Sequence, residues 1–278
     1  MDFNVPQILA YFVAWFTIMG GIWALFDRAE VVLKKEVRDN LSQWLKSEKS
    51  GIKLSDWADL FVLVFDRIFG QKHFTRKCFA RSCVASLISI AIVSAVVIAI
   101  GRTETLILSG VKWYAMIIAV PILTTMYNFF PDYFSLLESR MLIGLMRGRG
   151  LLFQLALLFL DIVLTAAIFA LWFMLFFHYL DDIDKVTWEE LAIELWRGIV
   201  FWRQIKPNMG IWFYSTFFTS IWVWFFFISG IIVKILISFE LGLKKASSYF
   251  DVDQKPLRSM GFVCMIGITI VFVVIPFL

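Results

Sequence analysis

Six runs of apolar residues constrain this chain more than any other feature: Val5 to Leu25, Ser82 to Gly101, Trp113 to Phe130, Leu151 to Leu180, Ile211 to Phe239 and Gly261 to Leu278. Each approaches or exceeds the roughly 20 helical residues that cross about 30 Å of hydrocarbon. None alternates polar with apolar residues as a barrel strand does, and a lone chain segment in hydrocarbon satisfies its backbone only as a helix. The expected fold class is therefore all-α, a polytopic helical membrane protein of about six transmembrane helices with amphipathic interfacial or cytoplasmic helices. Composition agrees: 60% hydrophobic and 17% charged residues leave too little polar surface for a water-soluble globule.

The basic residues orient the spans. Between Asp27 and Phe79 there are 11 Lys and Arg, between Asp132 and Gly150 three, and between Glu240 and Met260 four, 18 on one side of the membrane. The other side holds six: Arg102, Lys112, Lys185, Arg197, Arg203 and Lys206. Retention of positive loops in the cytoplasm places both termini on the non-cytoplasmic side, in a cell (inner) membrane. The first run has no basic stretch before it and no small-residue cleavage pattern after it, and reads as a retained anchor.

The whole chain, 1–278, is expected to form a single integral membrane domain with a cytoplasmic amphipathic insertion at 27–79 and an outer loop at 181–210. In the insertion, Leu33, Val37, Leu41, Trp44 and Leu45 share one helical face, and Ser50-Gly51 separates them from a second helix through Trp57, Leu60, Phe61, Val64 and Ile68. Such helices lie in the headgroup plane or pack as a cytoplasmic hairpin. The basic residues Lys72, Arg76, Lys77 and Arg81 then stand where anionic lipid headgroups would meet them. The small net charge of +4 argues against nucleic acid as a partner. On the outer side, Thr187 and Glu190 make an S/T-x-x-E capping box opening an amphipathic helix. That helix aligns without gaps to the one at Trp57, a hint of two inverted repeats.

Within the spans, Asp161 is the most informative residue. It lies about ten residues into the fourth run, where a carboxylate needs a partner, a proton or water. Lys234 in the fifth run is a candidate partner if the helices are offset, since the two lie roughly 7 Å apart in depth, the alternative being that it snorkels to the headgroups. Pro121, Thr124, Thr125 and Asn128 in the third run form a candidate kink and polar lining. Ser82, Ser86, Ala91, Ala95 and Ala99 form a ladder of small residues suited to close helix packing, within the chain or in a homo-oligomer. Trp212 to Phe227 holds ten aromatics in sixteen residues and is expected to face lipid or another subunit.

Other chemistry finds little footing. Cys78, Cys83 and Cys264 match no zinc spacing, and the acidic run His178, Asp181, Asp182, Asp184 lacks the order of a calcium loop, so no metal and no cofactor is expected. No phosphate loop or nucleophile elbow appears, and a catalytic role is not expected. Two functions compete. One is a non-catalytic, oligomerising membrane subunit that offers its basic cytoplasmic helical region to a protein partner, with a membrane-disrupting effector as its variant. The other is a small ion channel or proton-coupled transporter using Asp161.

Overall fold

A computed structural model describes residues 5–46, 54–99, 113–180, 209–238 and 251–274, together with 187, 189, 190, 192, 193 and 196. Its regular elements are helical: α1 (Val5–Val32), α2 (Lys35–Lys46), a 3-10 turn (Leu54–Asp56), α3 (Trp57–Phe69), α4 (Arg76–Ala99), α5 (Trp113–Met146), α6 (Leu151–Leu180), α7 (Met209–Thr216), α8 (Phe218–Ser238) and α9 (Pro256–Val274). Four contain stretches long and apolar enough to cross a membrane: Arg76–Ser94, Leu151–Phe176, Thr219–Ile237 and Pro256–Val274. The runs expected to cross first and third are helical as well, in α1 and α5.

Helix α1 packs on α4 and α9, α5 on α4 and α6, and α8 on α9. Close approach is built into the sequence at Gly230, where a Cβ would lie 2.5 and 2.7 Å from atoms of the Trp44 indole. A side chain there would occupy the space that Trp44 fills.

Three expectations are corrected. The segment from Asp132 to Gly150 is not a loop; α5 runs unbroken to Met146, and a short turn joins it to α6. Pro131, directly after the expected end of the third run at Phe130, lies inside the helix. Proline has no N–H for the carbonyl four residues back, that of Tyr127. The indole N–H of Trp172 donates to this carbonyl at 3.1 Å, so α6 supplies the hydrogen bond that α5 lacks.

The second correction concerns the insertion. Helices α2 and α3 are not a surface layer: Leu41, Trp44, Leu45, Trp57, Phe61, Val64 and Phe65 are buried in the main core. On α3 the aromatics recur every fourth residue, Trp57, Phe61, Phe65 and Phe69, and make one face. That face meets α8, with ring centroids 4.9 Å apart for Trp57 and Phe227, 4.8 Å for Phe61 and Trp222, and 4.9 Å for Phe61 and Phe226. Third, the aromatic stretch is not wholly a lipid- or subunit-facing wall: Phe213, Trp222, Phe226 and Phe227 are buried within the chain, while Trp212, Tyr214, Phe217, Trp224 and Phe225 are half-buried.

Several polar contacts lock the inserted helices. Trp57 donates through Nε1 to Gln154 Oε1 at 2.8 Å, while Gln154 Nε2 reaches the Ser55 and Met146 carbonyls at 2.6 and 3.0 Å. Arg140 on α5 donates to the Gly70 and Gln71 carbonyls at 3.0 and 2.6 Å and pairs with Asp66. Gly70 itself has φ 96°, a conformation that a residue without Cβ adopts readily as α3 ends. At the other junction Glu30 accepts from Arg38 at 2.7 Å and from the Leu257 N–H at 2.8 Å, capping the start of α9 with a carboxylate.

Candidate functional site: a buried polar seam

Helix α5 carries Asn128, Asp132, Ser135, Glu138 and Ser139 at spacings of about one helical turn. Asn128, Ser135 and Ser139 are wholly buried, so the stripe faces the interior. From Asn128 to Ser139 it rises about 16 Å, half of the hydrocarbon thickness. Facing it are Ser86 and Ser89 of α4, Asp161 and Thr165 of α6, and Ser215, Thr216 and Ser220 around the junction of α7 and α8.

One end of the seam is organised by Asp132. Its carboxylate accepts from Ser86 Oγ and from Asn128 Nδ2, the latter at 2.6 Å. Asn128 Nδ2 also lies 2.9 Å from Ser215 Oγ and 3.1 Å from Thr216 Oγ1. At this level one turn residue, Phe217, separates α7 from α8, its N–H bonding the Tyr214 carbonyl at 3.3 Å and its carbonyl accepting from Ile221 at 2.7 Å. Ser215 and Thr216 hydroxyls donate to the Trp212 carbonyl at 3.0 and 2.9 Å, a side-chain competitor to the regular helical ladder. Ser89 Oγ donates to the Ser215 carbonyl at 2.7 Å, so a neighbouring helix serves a group near the end of α7. Irregular backbone at membrane depth is tolerated where protein groups satisfy it or where it lines a cavity.

The other end holds a carboxylate pair. Asp161 is 2% exposed and accepts from Ser139 Oγ at 2.5 Å. Glu138 lies beside it, with Oε2 3.5 Å from Thr165 Oγ1. Thr165 Oγ1 is also 3.1 Å from both Ser135 Oγ and Ser220 Oγ. The remaining oxygens, Asp161 Oδ2 and Glu138 Oε1, are buried, and the two carboxyl groups lie close enough to interact directly. Among the described residues, no Lys or Arg forms an ion pair with Asp132, Glu138 or Asp161. Carboxylates so placed require protons or a cation, since unpaired charge is costly in apolar surroundings.

The structure distributes the other sequence-derived residues differently. Lys234 is directed to α2, donating to the Trp44 carbonyl and lying 5.0 Å from the centroid of its ring, whereas the Asp161 contacts lie on α5. Asn128 and Ser86 join the seam, and Ser82 Oγ is buried without a partner. Pro121, Thr124 and Thr125 belong to α5 and Ala95 and Ala99 to α4, but their side chains lie outside the described residues. Ala91 is exposed. Lys72, Arg76 and Lys77 are exposed, and Arg81 donates through Nη1 to the Arg67 carbonyl at 3.0 Å and to that of Ile68, capping the end of α3.

The Thr187 capping box is present: the Thr187 N–H donates to Glu190 Oε2 at 2.9 Å, and the Glu190 N–H to Thr187 Oγ1 at 3.3 Å. Most of the helix it opens, and with it the proposed repeat, lies outside the described residues, as does the acidic run Asp181, Asp182, Asp184. Among the described residues, no group of three or more His, Cys, Asp or Glu is placed to hold a metal ion. Asp132 and Glu138 are the site residues that sequence reasoning missed. Their signal was the 4-3-4 spacing of Asn128, Asp132, Ser135 and Ser139, which crosses the expected end of the third run at Phe130.

No family model, curated protein or solved structure matches this chain.

Proposed function

We propose that this protein is a proton-coupled transporter or small channel of a cell (inner) membrane, with protons moving along the carboxylates Asp132, Glu138 and Asp161. The observation that carries this reading is a polar seam holding buried Asp161 and half-buried Asp132 and Glu138, without a described cationic partner, beside the one-residue interruption at Phe217. Discontinuous helices and intramembrane carboxylates are recurrent parts of ion and proton pathways. The hydroxyls of Ser135, Ser139, Thr165 and Ser220 both accept and donate, and so can relay a proton between the carboxylates. Six spans with both termini outside the cytoplasm complete the proposed topology, the first and third formed by α1 and α5.

The competing reading is an oligomerising membrane subunit that binds a partner through its basic cytoplasmic helical region, where Lys72, Arg76 and Lys77 are exposed. Absence of proton flux together with a co-purifying partner lost on deleting 27–50 would favour it.

Proton flux into proteoliposomes tests the proposal, with protein folding checked by monodispersity and Tm. Wild type is expected to relax an imposed pH gradient, and Asp161→Asn and Glu138→Gln each to slow it at least about tenfold, the loss from interrupting one relay step. Absence of flux in folded wild type under both polarities of gradient and potential, or unchanged flux in both variants, would overturn it.

A further inference from the structure

A groove of about 470 Å³ runs between α1, α3 and α4, and its walls include Gly21, Ala24, Val84 and Ile88, with Arg28 and Arg81 at one end. Val84 and Ile88 are exposed, so the groove opens sideways rather than into the core. Gly21 lets α1 approach α4 closely, because a Cβ there would lie 2.8 Å from the Ile92 side chain. The two arginines share a level of the α1/α4 pair: Arg28 follows the apolar run that ends at Leu25, and Arg81 precedes the run that begins at Ser82.

We propose that this groove is a specific site for one anionic glycerophospholipid, its acyl chain lying along the apolar walls and its phosphate held by Arg28 and Arg81. The charge at the mouth is positive and uncompensated. The neighbouring acids of α1 are engaged elsewhere, Asp27 with Arg258 at 2.6 Å and Glu30 with Arg38 at 2.7 Å. Arg28 is exposed, and no described carboxylate forms an ion pair with it. Arg81 is held in place through the α3 carbonyls, which fixes a guanidinium at the groove before a ligand arrives. Exposed Lys72, Arg76 and Lys77 on the adjoining stretch add positive potential at the headgroup level. A purely apolar annular position would have no use for this charge, and a soluble anion would have no use for the apolar walls. A lipid with one negative headgroup uses both.

Native mass spectrometry of the purified full chain in detergent provides the test, titrating phosphatidylglycerol or phosphatidylcholine of identical acyl chains. Phosphatidylglycerol is expected to bind at least about fivefold more tightly, the factor that one basic residue near a membrane surface supplies. Arg28→Gln, an exposed position that leaves the α3 cap intact, is expected to reduce phosphatidylglycerol binding to the phosphatidylcholine level. Ala24→Leu, which narrows the groove, is expected to weaken both lipids. Excess glycerol 3-phosphate should displace neither. Equal affinity for the two lipids, a preference that survives Arg28→Gln, lipid binding unaffected by Ala24→Leu, or displacement by glycerol 3-phosphate would each overturn the proposal.

Discussion

Gly230 and Trp44 show how a single atom sets the approach of two helices. A Cβ at Gly230 would lie well inside the contact distance of the buried indole, and Trp44 is 0% exposed. Gly230→Ala is expected to lower stability by about 1–3 kcal/mol, as overpacking does. Pairing it with Trp44→Phe should return part of that loss, which a double-mutant cycle of thermal unfolding measures. His73 makes a different kind of prediction. Its Nε2 lies 3.2 Å from Arg140 Nη1, and since a guanidinium only donates, Nε2 must accept and the ring proton sits on Nδ1. Burial first, and the Arg140 charge second, hold the imidazole below its ordinary pKa against the opposing pull of Asp66. The unfolded chain then binds the proton more readily. Stability should fall as pH drops from the ordinary histidine value of about 6.5 through the lower folded value. His73→Gln should flatten that part of the Tm against pH curve; an unchanged slope would mean that another group titrates.

At the scale of elements, the ends of helices carry much of the specificity. Arg140 joins α5 to the end of α3 through Asp66, two carbonyls and the face of Phe65, 5.9 Å from the guanidinium carbon. Arg140→Ala is expected to cost about 2–3 kcal/mol and to raise hydrogen exchange at 66–71 before other regions, because several charge-assisted bonds vanish together. Arg140→Lys should recover only part, since an ammonium lacks the fork that spans these acceptors. The capping box at Thr187 was legible in the residues because a cap is a local device. The docking of α3 was legible only as an amphipathic pattern. Its apolar face is visible from spacing, but whether lipid or α8 covers that face depends on a helix more than 150 residues away.

For the whole molecule, the apolar faces of α2 and α3 belong to the same core as the long helices. Backbone amides of Trp57–Phe69 are expected to exchange as slowly as those of α8 in hydrogen-exchange mass spectrometry on lipid nanodiscs. Rapid exchange there, typical of a helix lying in the headgroup plane, would contradict the packed arrangement. The seam is likewise a property of the assembled bundle, since α4, α5, α6, α7 and α8 each contribute residues to it.

Sequence alone determined that this chain is helical and apolar enough for a membrane, and where its longest apolar runs lie. Those are local properties: hydrocarbon forbids unsatisfied backbone, and length and polarity are counted along one segment. It also marked Asp161 and Asn128 as polar groups in apolar surroundings. Only tertiary structure decided that Asp161 stands by Glu138 rather than Lys234, that α5 continues through Pro131, and that the aromatic stretch of α8 packs on α3. Partner choice is non-local. The carbonyl released by Pro131 is satisfied from α6, and the Ser215 carbonyl near the end of α7 is served from α4, so the polar groups acquire their roles only when helix faces meet.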